Sequence, residues 1–83
     1  MLKARVKIML KPTVLDAQGA TIEKALKNLG YTEVSNVRVG KQIELKLDGR
    51  DKDDARRAVE EMCQRLLANP VVEDYEVELV EEP

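Results

Sequence analysis

The sequence predicts an α+β domain in which one four-stranded antiparallel sheet carries two helices on one of its faces. Three observations carry this: period-two alternation near both ends of the chain, two apolar stripes at helical spacing, and the order of these segments. That order, β-α-β-β-α-β, is the ferredoxin-like arrangement of two split β-α-β units. No repeat, linker or low-complexity stretch interrupts the 83 residues, so residues 1–83 are expected to form a single domain.

The opening LKARVKIMLK places Leu2, Ala4, Val6, Ile8 and Leu10 on one face and Lys3, Arg5, Lys7, Met9 and Lys11 on the other, as a half-buried strand requires. Pro12 lacks an N–H and stops the ladder. After a loop over 12–15, Asp16 is a good N-cap, and Ile22, Ala25, Leu26 and Leu29 repeat at the spacing of a buried helical stripe. A helix is therefore expected over 17–29, with Gly30 just beyond its end. NVRVG presents Val37 and Val39, and KQIELKLDG presents Ile43, Leu45 and Leu47; the two read as an antiparallel hairpin turning at Gly40-Lys41. Asp48-Gly49 is a turn dipeptide, and Asp51, Asp53 and Asp54 suit the N-terminal end of a second helix. On that helix Ala55, Val59, Met62, Cys63, Leu66 and Leu67 share the inner side, while Glu61 and Arg65 form an i,i+4 pair outside. Asn69-Pro70 ends it. The last strand, VVEDYEVELV, turns Tyr75, Val77 and Leu79 inward and Asp74, Glu76 and Glu78 outward, before a frayed tail of Glu81, Glu82 and Pro83.

In the usual strand order of this topology, 4-1-3-2, the first strand lies between the fourth and the third. Lys3, Arg5 and Lys7 then sit beside Asp74, Glu76 and Glu78 on the open face, flanked by Glu44 and Lys46. This basic strand reads as a solvated surface neutralised by its neighbours rather than as a ligand site.

Composition excludes several kinds of chemistry. With 14 basic and 16 acidic residues the net charge is −2, and no global field draws nucleic acid or an anionic membrane. The outward positions of the central strands carry no aromatic ring on which a base would stack. Without histidine there is no imidazole base, no histidine-dependent triad and no zinc site of the usual kind. Cys63, the single cysteine, has no intramolecular partner and reads as a small core hydrophobe. With no signal-like apolar segment, a soluble cytoplasmic chain is expected. A core with only Tyr31 and Tyr75 as aromatic residues gains from oligomerisation. The loop KPTVLDAQG opens on a helix start, where anions often bind, yet its proline, lone glycine and lack of arginine make a poor phosphate cradle. Asp51, Asp53 and Asp54 read as capping residues and not as a magnesium site. Three polar stretches, 11–19, 37–41 and 68–75, remain as candidate binding surface.

Three blocks within the chain, LKPTVLDAQGATIEKAL, LGYTEVSNVRVGKQIEL and MCQRLLANPVVEDYEVE, together resemble the PurS small-subunit family of phosphoribosylformylglycinamidine synthase, in order and over nearly the whole length. The resemblance implies a non-catalytic subunit in de novo purine biosynthesis. Such a subunit joins a glutaminase subunit (PurQ) to a large synthetase subunit (PurL) and assists ammonia transfer. The complex converts formylglycinamide ribonucleotide to formylglycinamidine ribonucleotide with ATP and glutamine. No cofactor on this chain, ATP and magnesium on the large subunit, and self-association as a homodimer or higher are also implied. VLDAQG matches the family's helix-opening motif, which usually has proline where Ala17 stands. By matching residue to residue, the resemblance offers Lys11, Asp16, Gln18, Gly19, Arg38, Gly40, Lys41, Asp74 and Tyr75 as partner-facing positions. Arg38 and Lys41 suit carboxylates on a partner. The alternative is a small ferredoxin-like regulatory module binding an amino acid or nucleotide at the loop after the first strand, which fold analogy alone supports.

Overall fold

Alternation at the two ends of the chain produces the two longest strands, and the first of them becomes the middle of the sheet. The computed structural model describes residues 1–82. In chain order the elements are β1 (Leu2–Leu10), α1 (Ala17–Asn28), β2 (Gly40–Leu47), α2 (Lys52–Met62, continued by a wider turn over Cys63–Leu67) and β3 (Glu73–Glu81). The sheet is antiparallel with order β2-β1-β3. Val6 faces Ile43 on one side and Val77 on the other, and Arg5 faces Glu44 and Glu78. The first expected strand therefore does lie between the third and the fourth. No helix among the described residues is long and apolar enough to cross a membrane.

The core forms where α2 covers β1 and β3. Leu2, Ala4, Val6 and Ile8 meet Ala55, Val59 and Cys63, with Ala68 and Leu79 closing the cluster. Each fully buried Val or Ile side chain contributes roughly 1.5–3 kcal/mol. Asp51 caps α2 by accepting the Asp54 N–H at 2.8 Å. At the other end of α2 the Ala68 N–H reaches back to the Cys63 carbonyl, an i→i+5 bond that inserts an extra residue into the last turn. The phase slip turns Leu66 out to 82% exposure and Ala68 in, so Leu66 does not share the inner face expected of it. On the open face Arg5 bridges Glu44 at 3.0 Å and Glu78 at 2.9 Å, and Lys3 adds a contact to Glu44 at 3.4 Å. At the chain's end Glu81 stays in β3 and the Glu82 N–H donates to the Met1 carbonyl at 2.9 Å; Pro83 of the expected frayed tail lies outside the described residues.

Two expectations need correction. Among the described residues the sheet has three strands, and the hairpin expected at Gly40-Lys41 is absent. Asn36 takes φ 58°, a left-handed conformation that asparagine tolerates, and redirects the chain. Beyond it the Val37 N–H donates to Glu23 Oε1 at 3.2 Å and the Val39 N–H to Asp16 Oδ2 at 2.7 Å. Carboxylates satisfy donors that a ladder would have used, so the chain joins the sheet only at Gly40.

The second correction concerns α1, which does not pack on the sheet as α2 does. Its expected stripe is not buried: Ile22 is 38% and Leu29 74% exposed, Ala25 is exposed and Leu26 half-buried. The two helices thus do not share one covered face. The radius of gyration is 16.4 Å, where a compact chain of this length has about 12 Å.

Candidate functional site

The segment VLDAQG sits at the root of α1, and Asp16 organises it. Its extended backbone (φ −102°, ψ 91°) is that of an N-cap, and Oδ1 accepts the Gly19 N–H at 2.8 Å. Its other oxygen, Oδ2, takes the Val39 N–H, so one carboxylate ties the helix start to the segment leading into β2. Gly19 is needed because the Val37 carbonyl occupies the space a Cβ would fill. The Arg38 guanidinium donates to the Leu10 carbonyl, anchoring the same segment to the end of β1. Glu23 adds the Val37 bond and pairs with Lys27 at 3.3 Å.

This clasp fixes the electrostatics. Hydrogen bonds from the Val39 and Gly19 N–H groups, with the Arg38 charge nearby, hold the Asp16 carboxyl below its ordinary range. The Val37 N–H and Lys27 do the same for Glu23. Both groups are charged at neutral pH and occupied as acceptors, which makes them poor proton-abstracting bases. The helix start is met by the chain's own carboxylate, and a free anion there would be repelled by it. Burial raises the Cys63 thiol, which sits inert in the core.

The structure brings the nine expected positions to one end of the sheet, where β1 finishes and β2 and β3 begin. Asp16, Gln18, Gly40 and Lys41 line one open cleft of about 290 Å³, floored by Ile8 and Leu10. Gly19 and Arg38 belong to the clasp beneath it. Lys11 and Asp74, both expected to face partners, pair with each other at 3.6 Å. Tyr75 lies at the same end, across from Ile8, and its hydroxyl accepts from Gln64 Nε2 at 2.8 Å. Gly40 has no room for a Cβ because the Ile8 backbone carbonyl lies there, with the Met9 sulfur beside it. Glu23 and Asn36 were missed; an asparagine between two apolar segments signals a left-handed turn, but nothing local marks Glu23 as a backbone acceptor.

The arrangement therefore presents a shaped polar rim rather than a reaction centre. The family model described as "PurS: Phosphoribosylformylglycinamidine (FGAM) synthase" matches residues 3–81. The phosphoribosylformylglycinamidine synthase subunit PurS of Bacillus subtilis (strain 168) is 46% identical over 81 residues, 98% of this chain and 95% of the relative. The crystal structure of Methanocaldococcus jannaschii PurS superposes with a TM-score of 0.90 at 41% identity, covering 100% of both chains. A chain in the structure of PurLQS from Thermotoga maritima matches with a TM-score of 0.84 at 34% identity, covering 96% of this chain and 99% of that one.

Proposed function

The chain belongs to the PurS family of phosphoribosylformylglycinamidine synthase, and on that premise we propose that it is the non-catalytic small subunit of the synthase complex in de novo purine biosynthesis. It works in the cytoplasm with a large synthetase subunit and a glutaminase subunit, and pairs with a second copy of itself. The observation that carries this reading is the end-to-end agreement with a chain of the Thermotoga maritima PurLQS structure. ATP and magnesium bind on the large subunit, and this chain holds no cofactor. The reaction turns formylglycinamide ribonucleotide into formylglycinamidine ribonucleotide with glutamine as nitrogen donor.

The partner-facing rim consists of Lys11, Asp16, Gln18, Gly19, Arg38, Gly40, Lys41, Asp74 and Tyr75. Supporting it is their gathering at one end of the sheet, where Gln18 and Lys41 are exposed on the cleft wall. The physical logic of the ammonia role is solvent exclusion: ammonia released into bulk water is mostly protonated and lost as a nucleophile. A subunit that seals the route between two active sites raises coupling without performing chemistry.

The test is synthesis of formylglycinamidine ribonucleotide by the large and glutaminase subunits with and without this chain. Glutamine-dependent synthesis is expected to require it, and synthesis from free ammonia is not. A chain that changes neither rate would overturn the reading.

A further inference from the structure

An aspartate or asparagine can be attacked at its side-chain carbonyl carbon by the next main-chain nitrogen, and a following glycine leaves that nitrogen least shielded. Of the chain's aspartates and asparagines, only Asp48 precedes a glycine. At most of the others the fold has already engaged the reacting groups. The nitrogens of Leu29, Val37, Asp54 and Ala55 donate to acceptors of their own, and Asn69 precedes a proline that has no N–H. Asp16 spends both side-chain oxygens on the clasp, and Asp74 lies within β3.

Asp48 and Gly49 are different. Both are exposed and lie just past the end of β2, outside any helix or strand. Gly49 takes φ 80°, and nothing stands within 4 Å of the place a Cβ would fill. Its N–H finds no main-chain acceptor among the described residues and donates to Asp48 Oδ1 at 3.0 Å, so the nitrogen rests against the carboxyl group. Both residues line an open cleft of about 400 Å³ that admits water. We propose that Asp48-Gly49 is a site of spontaneous covalent modification, at which the aspartyl bond rearranges through a cyclic imide to an isoaspartyl bond. The Gly49 nitrogen bonds to Asp48 Cγ and gives up its hydrogen, which leaves with the carboxyl OH as water. Water then adds back to the succinimide at either carbonyl. Cleavage of the nitrogen from Cγ restores aspartate; cleavage from the main-chain carbonyl leaves the chain running through Cγ, as isoaspartate. The neutral carboxyl is the electrophile, so mild acid quickens ring closure.

The position of this bond gives the change its reach. Leu47 faces Leu2 at the start of β1, whereas the proposed partner rim lies where β1 ends, so the dipeptide occupies the other end of the sheet. Residues 48–51 are the whole connection from β2 to the first turn of α2, with Asp51 as the cap. An isoaspartyl bond lengthens that connection by one main-chain carbon and turns the acceptor of the Gly49 N–H into main chain. It also frees an α-carboxylate at the surface, the group to which an isoaspartyl methyltransferase transfers the methyl of S-adenosylmethionine.

The test is ageing of the folded chain in mildly acid buffer, read by two probes. One is methyl transfer from labelled S-adenosylmethionine by an isoaspartyl methyltransferase; the other is peptide mapping with a protease that cuts before aspartate and not before isoaspartate. Isoaspartate is expected to accumulate at position 48 ahead of every other aspartate, by way of a species lighter by one water. Asp48→Glu keeps the charge but must close a larger ring, and is expected to lose the signal. Asp48→Asn closes the same ring by expelling ammonia, and is expected to convert faster than the wild type at neutral pH. Both substitutions fall on an exposed residue outside the core, and circular dichroism checks that each variant is folded. A synthetic peptide of residues 46–51 supplies the rate without the fold. A folded chain whose Asp48 stays intact while that peptide converts would overturn the proposal, as would methyl transfer that persists in Asp48→Glu or maps to another aspartate.

Discussion

Asp16 shows how far one side chain can be read from sequence. An aspartate just before a periodic apolar run signals an N-cap, and the bond to the Gly19 N–H follows from local geometry. Its second bond, to Val39, joins residues 23 apart and has no local signature. Both bonds favour the charged form, so the folded-state pKa lies below the unfolded value. The stabilisation is therefore complete above the ordinary carboxylate range and is lost as pH falls through the depressed folded value. Urea midpoints should hold from neutrality down to about pH 4 and then decline. Asp16→Asn keeps one acceptor but turns an NH2 group toward the other N–H, so it should lower the midpoint at pH 7 and flatten that acid decline; an unchanged decline would assign it to other carboxylates. Gly19→Ala drives a methyl into the Val37 carbonyl and should destabilise by about 1–3 kcal/mol in the same assay.

The two helices were equally legible as helices and unequally legible as packing. Periodicity states that a face is to be covered and is silent on what covers it: Ala55, Val59 and Cys63 find β1 and β3, while Ile22 and Leu29 find nothing in their own chain. The missing strand has a related cause. Only Val37 and Val39 alternate in NVRVG, and two carboxylates on or beside α1 claim both of their N–H groups before any ladder can. Slippage at the end of α2 is a third case, since helical spacing assigns Leu66 inward and one i→i+5 bond reverses it. These distinctions are measurable by chemical denaturation. Ile8→Ala should cost about 2–5 kcal/mol, and Leu66→Ala no more than about 0.5 kcal/mol in the isolated chain. At the first position of α1, Ala17→Pro should add roughly 0.4–1 kcal/mol, because the ring fixes a backbone angle already helical and removes an N–H that no turn of the helix uses.

For the molecule as a whole, the charged open face was legible because opposite signs alternate across β1, β2 and β3, and Arg5 between Glu44 and Glu78 realises that pattern. Its shape was not legible, since an arm is a relation between distant segments. A thin body of 50 × 30 × 14 Å with an uncovered helix has less internal burial than its length allows, so an association that covers that helix would add to its stability. If two folded copies separate as they unfold, a hundredfold rise in concentration adds about 2.7 kcal/mol per dimer, or half that per chain. For a chain of this size that corresponds to a Tm increase of about 5–10 °C between 1 and 100 µM. If the exposed face of α1 is what such an association covers, Ile22→Glu should melt lower and independently of concentration, because it leaves the buried residues of α2 and the sheet untouched. A wild-type Tm that stays constant across that range would mean the single chain reaches its full stability alone, and the bare face of α1 would then have no role in holding the fold together.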